Sequence, residues 1–237
     1  GDEVKCYLPG SMTVKVDRQT DHIVFPALLP ANLQDISEHY HVTKGGIERI
    51  AGYDCQTIVL EPKDKMRYGH KLWADANTGM LLKSQTFNDR NEVVEQFAFT
   101  QIAIGGKINH GALKSRFLAK SRNWRVAISG AVATSLAASG WTIKPELPGF
   151  KKVTEMKRTQ GGSSEVGHVV YSDGLAAVSV FIEPMAKKTS LPPPGLSRQG
   201  AINIYSRQLD NHLVTVVGEA PAESVKKLAE SVEYRRP

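Results

Sequence analysis

Turn signals cut this chain into strand-length pieces along almost its whole length. In the first half they are Pro9-Gly10, Gly45-Gly46, Ala51-Gly52-Tyr53-Asp54, Asp75-Ala76-Asn77-Thr78-Gly79, Asn88-Asp89-Arg90-Asn91 and Gly105-Gly106. In the second half they are Leu147-Pro148-Gly149-Phe150, Gly161-Gly162-Ser163-Ser164, Ser172-Asp173-Gly174, Pro192-Pro193-Pro194-Gly195 and Asp210-Asn211. Glycine supplies left-handed positions, proline fixes φ, and Asp or Asn bonds back to its own backbone. Short apolar runs between such signals read as antiparallel strands and hairpins, not long helices.

Taken in order, Lys5–Leu8 and Thr13–Val16 flank the Pro9-Gly10 turn. Leu29, Leu33, Ile36 and Tyr40 then fall at helical spacing after Pro30, predicting a helix over Ala31–Tyr40. Gly45-Gly46 is read as a break. Ile47–Ile50 pairs with Cys55–Leu60, Arg67–Ala74 pairs with Met80–Phe87 around Gly79, and Val93–Ile104 is the last strand of this half. In the second half, Trp141–Lys144, Val153–Arg158, His168–Tyr171 and Leu175–Glu183 are strands. Ala201–Leu209 and His212–Val217 form a hairpin. Pro221 opens a helix with Val225, Leu228, Ala229 and Val232 on one face. The fold class is α+β, with segments 1–106 and 141–237 as domains and a basic, Ala/Ser-rich linker over 107–140.

A chain of 237 residues with 41% hydrophobic and 23% charged side chains is globular, neither disordered nor fibrous. The longest uncharged stretch, Val126–Ile143, is mostly Ala, Ser, Thr and Gly, so it is read as linker and strand start and not a membrane span. No signal-peptide pattern opens the sequence, in which Gly1-Asp2-Glu3 leads straight into a strand-like run. The net charge is +6, and Lys107, Lys114, Arg116, Lys120, Arg122 and Arg125 account for all of it, with no acid between them. That stripe fits a solvated loop, a phosphorylated lipid or an acidic protein segment. Nucleic acid is disfavoured, because no recognition motif accompanies the charge.

No catalytic motif is present. There is no nucleophile elbow, phosphate loop or zinc-helix pattern. His39 and His41 lie two residues apart, do not share a helix face, and read as surface residues and not metal ligands. Asp75 and Asp89 belong to turns. No catalytic residue, metal or cofactor is assigned. Cys6 and Cys55 are the only cysteines, and their spacing leaves a long-loop disulfide and two unrelated thiols equally open. What remains is apolar surface. Ile58, Leu60, Leu72, Met80, Leu82, Phe97 and Phe99 alternate along strands, as a sheet face does when it packs a core or opens into a lipid-sized cavity.

Several segments carry a family likeness. They are Gly1-Asp2-Glu3-Val4 with Cys6-Tyr7, Tyr40-His41-Val42 through Gly46–Gly52, Lys71–Asp75, Thr78–Lys83 and Glu95-Gln96-Phe97. Trp141, Leu147–Phe150, Tyr171–Leu175 and Val217–Pro221 continue it. In order and spacing the chain resembles the MucB/RseB family of periplasmic sigma-factor regulators over nearly its whole length. The basic linker matches least.

The resemblance implies an N-terminal half-open antiparallel β-barrel similar to LolA/LolB, and a smaller C-terminal α+β domain. The family's opening segment, leader included, is expected to be missing before Gly1, leaving the barrel partial. The implied function is non-enzymatic. Such a protein binds the periplasmic domain of a membrane anti-sigma factor, shields it from site-1 proteolysis, and is released by lipopolysaccharide or another lipid. A periplasmic lipid or lipoprotein carrier is the alternative, and a homo-oligomer is left open. An oxidising periplasm leads to an expected Cys6–Cys55 disulfide. Ile58, Leu60, Leu72, Phe97 and Phe99 are the lipid-binding candidates. Tyr171, Tyr205, Arg207, Lys114, Arg116, Lys120, Arg122 and Arg125 are the partner-binding candidates.

Overall fold

The computed structural model describes residues 3–18, 34–128, 131–160, 164–185 and 194–236. In chain order the elements are β1 (Glu3–Leu8), β2 (Thr13–Arg18), α1 (Gln34–His39), β3 (Tyr40–Ile50), β4 (Tyr53–Pro62), β5 (Gly69–Asp75), β6 (Leu81–Phe87) and β7 (Val93–Ala98). They continue as β8 (Arg125–Ile128), β9 (Ala131–Ala133), β10 (Trp141–Ile143), β11 (Lys151–Gln160), β12 (Ser164–Ser172) and β13 (Ala177–Pro184). The last are β14 (Gly195–Gln199), β15 (Ile202–Leu209), β16 (His212–Gly218), α2 (Ala222–Glu230) and β17 (Val232–Tyr234). Leu29, Leu33, Gly161–Ser163 and Pro192-Pro193 lie outside the described residues.

Contacts gather these elements into two compact units, Gly1–His22 with Ile102–Ala131, and Ile23–Gln101 with Val132–Pro237. They cut across the contiguous segments 1–106, 107–140 and 141–237. In the first unit, β1 and β2 form the expected hairpin and β8 adds to β2 in parallel, from Thr13↔Arg125 to Val16↔Ile128. The basic stretch is therefore no plain linker: its end is a strand. Tyr7, Phe117 and Trp124 cluster here, with ring centroids 6.0–6.5 Å apart.

The second unit holds two large sheets. The order β3-β4-β5-β6-β7 makes an open antiparallel sheet, and among the described residues its strands close no barrel. Gly45-Gly46 does not break the chain. β3 runs through it, and the register slips between Lys44 and Ile47, a bulge of the kind glycine permits. Gly79 takes φ 72° in the β5–β6 turn, as predicted, and Asp75 Oδ2 accepts from Thr78 N at 2.9 Å. The last strand stops at Ala98, shorter than expected, although Phe99 N still donates to Leu82 O at 2.9 Å.

The second large sheet has the order β14-β15-β16-β13-β12-β11-β9, and β10 pairs separately with β17. It has seven strands against the five of the other large sheet. Alternation explains its core. Register sets Val169 opposite Val180, Val180 opposite Val216 and Val216 opposite Tyr205, so one face is a continuous apolar row. α2 covers that face. Val225, Leu228 and Ala229 are fully buried, and Val232 follows in β17 and not in the helix. Burying each large aliphatic side chain contributes about 1.5–3 kcal/mol.

Cys6 and Cys55 are both free. Cys6 is exposed on β1 of the three-stranded sheet, and Cys55 is buried on β4 of the five-stranded one. The expected Cys6–Cys55 disulfide is absent: both cysteines are free thiols, on strands of different sheets. Burial pushes the Cys55 thiol up from its ordinary pKa, as expected of an inert structural cysteine.

Candidate functional site

The loop between β4 and β5 joins the two large sheets of the second unit. It carries Arg67, whose side chain is fully enclosed. Its Nη1 donates to Asp173 Oδ2 at 2.8 Å, its Nε contacts Asp64 at 3.2 Å, and its Nη2 donates to the Pro148 carbonyl. The guanidinium also sits 5.6 Å from the Tyr40 ring centroid and 5.4 Å from that of Phe150. A buried cation must find anions and acceptors on nearly every side, and here it does. Tyr40 OH donates to the same Asp173 oxygen at 3.1 Å. Burial, reinforced by the Asp173 charge, pushes that phenol well above its ordinary pKa and keeps it protonated.

Local sequence makes this geometry possible. Asp173 closes the β12–β13 turn, with Oδ1 accepting from Leu175 N and Ala176 N at 3.0 and 2.8 Å, so its second oxygen is left for Arg67. Gly149 takes φ 78° in the Pro148-Gly149 turn, where a Cβ would lie 2.1 Å from His39 Nε2. Only glycine lets that turn present the Pro148 carbonyl there. Along the same loop, Ser224 Oγ donates to Met66 O, and Asn203 Nδ2 donates to Tyr68 OH, both at 2.8 Å.

Beside this junction lies a cleft of about 1010 Å³. The end of β4 lines it with Pro62, the β4–β5 loop with Met66 and Tyr68, the β6–β7 turn with Asp89 and Arg90, and the C-terminal part with Arg198, Asn203 and Glu223. Its volume is at the large end for ligand sites, and its charges are of both signs. That suits a peptide segment with mixed polarity better than one small ligand. Among the described residues no group of His, Cys, Asp and Glu is placed to hold a metal. His39 packs against the Gly149 turn, and His41 lines the cleft from β3.

The lipid-binding candidates share one sheet face. Register aligns Ile58, Leu72, Ser84 and Phe97 across four strands, and alternation adds Leu60 and Phe99. They do not share one environment. Leu60 and Leu72 are core, packed with Ile36, Tyr40 and Leu81, with Ile58 partly buried against them. Phe97 is 47% exposed and Phe99 half-buried. With Val42 and Ile47, exposed on β3, they leave the margins of this face open.

The partner-binding candidates separate too. Tyr171 is buried in the C-terminal core, its pKa raised to about 12 by burial and the Glu155 charge. Tyr205 packs against the same core. Arg207 donates to the Ala229 and Val232 carbonyls at 2.8 and 2.5 Å, capping the end of α2. None of the three is a free anchor, because apolar alternation and a helix terminus had already claimed them. Lys114, Arg116, Lys120, Arg122 and Arg125 are exposed, all in the first unit. Sequence reasoning missed Arg67 and Asp173. The only signal was the Ser172-Asp173-Gly174 turn, which shows where Asp173 sits but not what it faces.

The structure is that of a β-rich protein whose two large sheets are joined by a buried charge cluster, beside a wide cleft lined by apolar side chains and by charges of both signs. The chain belongs to the MucB/RseB family: residues 1–117 match the family's N-terminal domain and residues 135–233 its C-terminal domain. The unmatched stretch between them falls within the segment read as a linker. It is 29% identical over 235 residues to the sigma factor AlgU regulatory protein MucB of Pseudomonas aeruginosa, covering 92% of this chain and 72% of that protein. It is 25% identical over 238 residues to the sigma-E factor regulatory protein RseB of Escherichia coli, covering 99% and 72%. Among solved structures, MucB in complex with MucA(peri) matches with a TM-score of 0.69 at 28% identity, over 87% of this chain and 72% of that one. A Pseudomonas aeruginosa MucA/MucB complex gives 0.69 at 26% identity, over 92% and 74%. These relatives are regulatory proteins.

Proposed function

We propose that this protein is a non-enzymatic periplasmic regulator. It binds the periplasmic domain of a membrane anti-sigma factor, shields it from site-1 proteolysis, and releases it when lipopolysaccharide or another lipid binds. The observation that carries the reading is the likeness, across both family domains, to MucB solved with MucA(peri). The mixed-charge cleft suits an extended partner segment, and the open margin at Phe97 and Phe99 suits an acyl chain. A lipid carrier would use that margin but has no use for the C-terminal sheet and its cleft. The test is a pull-down with the soluble periplasmic domain of the cognate anti-sigma factor, followed by digestion with the site-1 protease. Co-purification and slowed cleavage, both reversed by lipopolysaccharide, are expected. Failure to co-purify refutes the reading.

A further inference from the structure

Positive charge and exposed apolar surface coincide in the first compact unit. Its segments 3–18 and 102–128 hold nine Lys and Arg residues against Glu3 and Asp17, so the chain's whole surplus of charge is concentrated there. Among the described residues, Lys114, Arg116, Lys120, Arg122 and Arg125 are exposed and make no ion pair. Among the described residues of this unit only Thr13 and Val14 are buried. Ile128 is 76% exposed, Leu113 69%, Ile108 68% and Met12 64%. The same unit holds the half-buried cluster of Tyr7, Phe117 and Trp124, with the Arg116 guanidinium 5.0 Å from the Phe117 ring centroid.

The combination selects the partner. An acidic protein segment would use the cations and leave Ile128, Leu113 and Ile108 in water. A purely apolar partner would strand the cations. An anionic bilayer uses both: cations sit at the phosphates, aliphatic side chains enter the boundary below, and amphipathic aromatic rings lie between. We propose that the first unit is a peripheral docking surface for a bilayer containing anionic phospholipid. This goes beyond the regulator reading and does not rest on it.

The test is co-sedimentation of the full chain with large unilamellar vesicles of phosphatidylglycerol and phosphatidylcholine in equal parts, against vesicles of phosphatidylcholine alone. Binding to the anionic vesicles is expected, weakening as salt rises, with little binding to the neutral ones. Each cation near such a surface contributes about fivefold to partition, so Lys114→Gln/Arg116→Gln/Arg122→Gln should weaken it about a hundredfold. Leu113→Ser/Ile128→Ser should weaken the binding that survives at high salt. All five positions are exposed, and unchanged melting curves confirm that the variants fold. Equal binding to both vesicle types, binding to neither, or binding to lipopolysaccharide micelles without phospholipid vesicles would overturn the proposal. So would wild-type binding by Leu113→Ser/Ile128→Ser, which would leave a charge patch that an acidic protein serves equally well. The pull-down above reports the regulator reading separately.

Discussion

Asp173→Asn removes one charge from a place where the opposite charge has nowhere to go. Asp173 Oδ2 holds Arg67 Nη1 at 2.8 Å and Tyr40 OH at 3.1 Å, while Oδ1 holds the two turn amides. Asparagine keeps Oδ1, so the β12–β13 turn survives. Its amide nitrogen, however, now faces two donors. Tyr40 can rotate its hydroxyl to accept, but the enclosed guanidinium cannot. Breaking a buried pair by removing one partner costs about 3–5 kcal/mol. Arg67 retains Asp64 and the Pro148 carbonyl, which puts the expected loss at the lower end, about 3 kcal/mol. For a chain of this size that lowers the melting temperature by about 6–12 °C. Thermal melting followed by far- and near-ultraviolet circular dichroism measures it. The double variant Arg67→Met/Asp173→Asn should recover much of the loss, since no unpaired charge remains buried. A single variant melting within about 2 °C of wild type, or a double variant as unstable as the sum of the singles, would refute the account.

Three further outcomes are expected. His70 has a buried, unpartnered Nε2, and burial lowers its pKa from the ordinary 6.5 to about 4. Between those values the unfolded chain takes a proton that the folded chain refuses. Stability should therefore be full above about pH 6.5 and erode by about 3 kcal/mol towards pH 4, and His70→Gln should flatten that profile in urea titrations. Arg207→Ala should cost about 2–3 kcal/mol by chemical denaturation, because the carbonyls closing α2 lose a charged donor, with no effect on partner capture. Phe99→Ala should weaken lipid-triggered release more than partner binding in a competition pull-down, and equal loss of both would favour a plain packing role.

The hairpins were legible because their signals are local. Gly79, Asp173-Gly174 and Pro148-Gly149 each dictate backbone geometry within a few residues, and the structure uses all three as turns. Gly45-Gly46 misled because glycine marks a bulge as readily as a break, and only the register across β4 tells them apart. β8 was hidden because its pairing with β2 joins residues more than a hundred positions apart, from Thr13↔Arg125 onward, and parallel neighbours share no turn. Arg67 was invisible for a related reason. A charged residue on a loop reads as solvated, and Asp173 lies 106 positions along the chain. Tyr171 shows the opposite failure. It stands two residues after Val169, opposite Val178, so the period-two pattern already assigned it to the core, and an aromatic side chain alone was no reason to expect a surface anchor.

The junction also explains why the cleft beside it exists. Each large sheet covers the centre of its own apolar face, the five-stranded one under Ile36 and Tyr40, the seven-stranded one under α2. Little apolar surface is then left to press the sheets together, and broad face-to-face packing would fill the space between them. One loop does most of the joining instead, through Arg67, Met66 and Tyr68, each bonded to the C-terminal part, with Tyr40 on Asp173 and His39 against the Gly149 turn beside it. Such a contact is narrow, so it leaves about 1010 Å³ open alongside. It is also directional, because charge-assisted hydrogen bonds fix angles where apolar contacts would slide. The loop that sets the orientation of the two sheets therefore forms one wall of the cleft, through Met66 and Tyr68. A segment lying in the cleft touches the joint itself, so binding there and the stability of the joint are linked, and Asp173→Asn should weaken both.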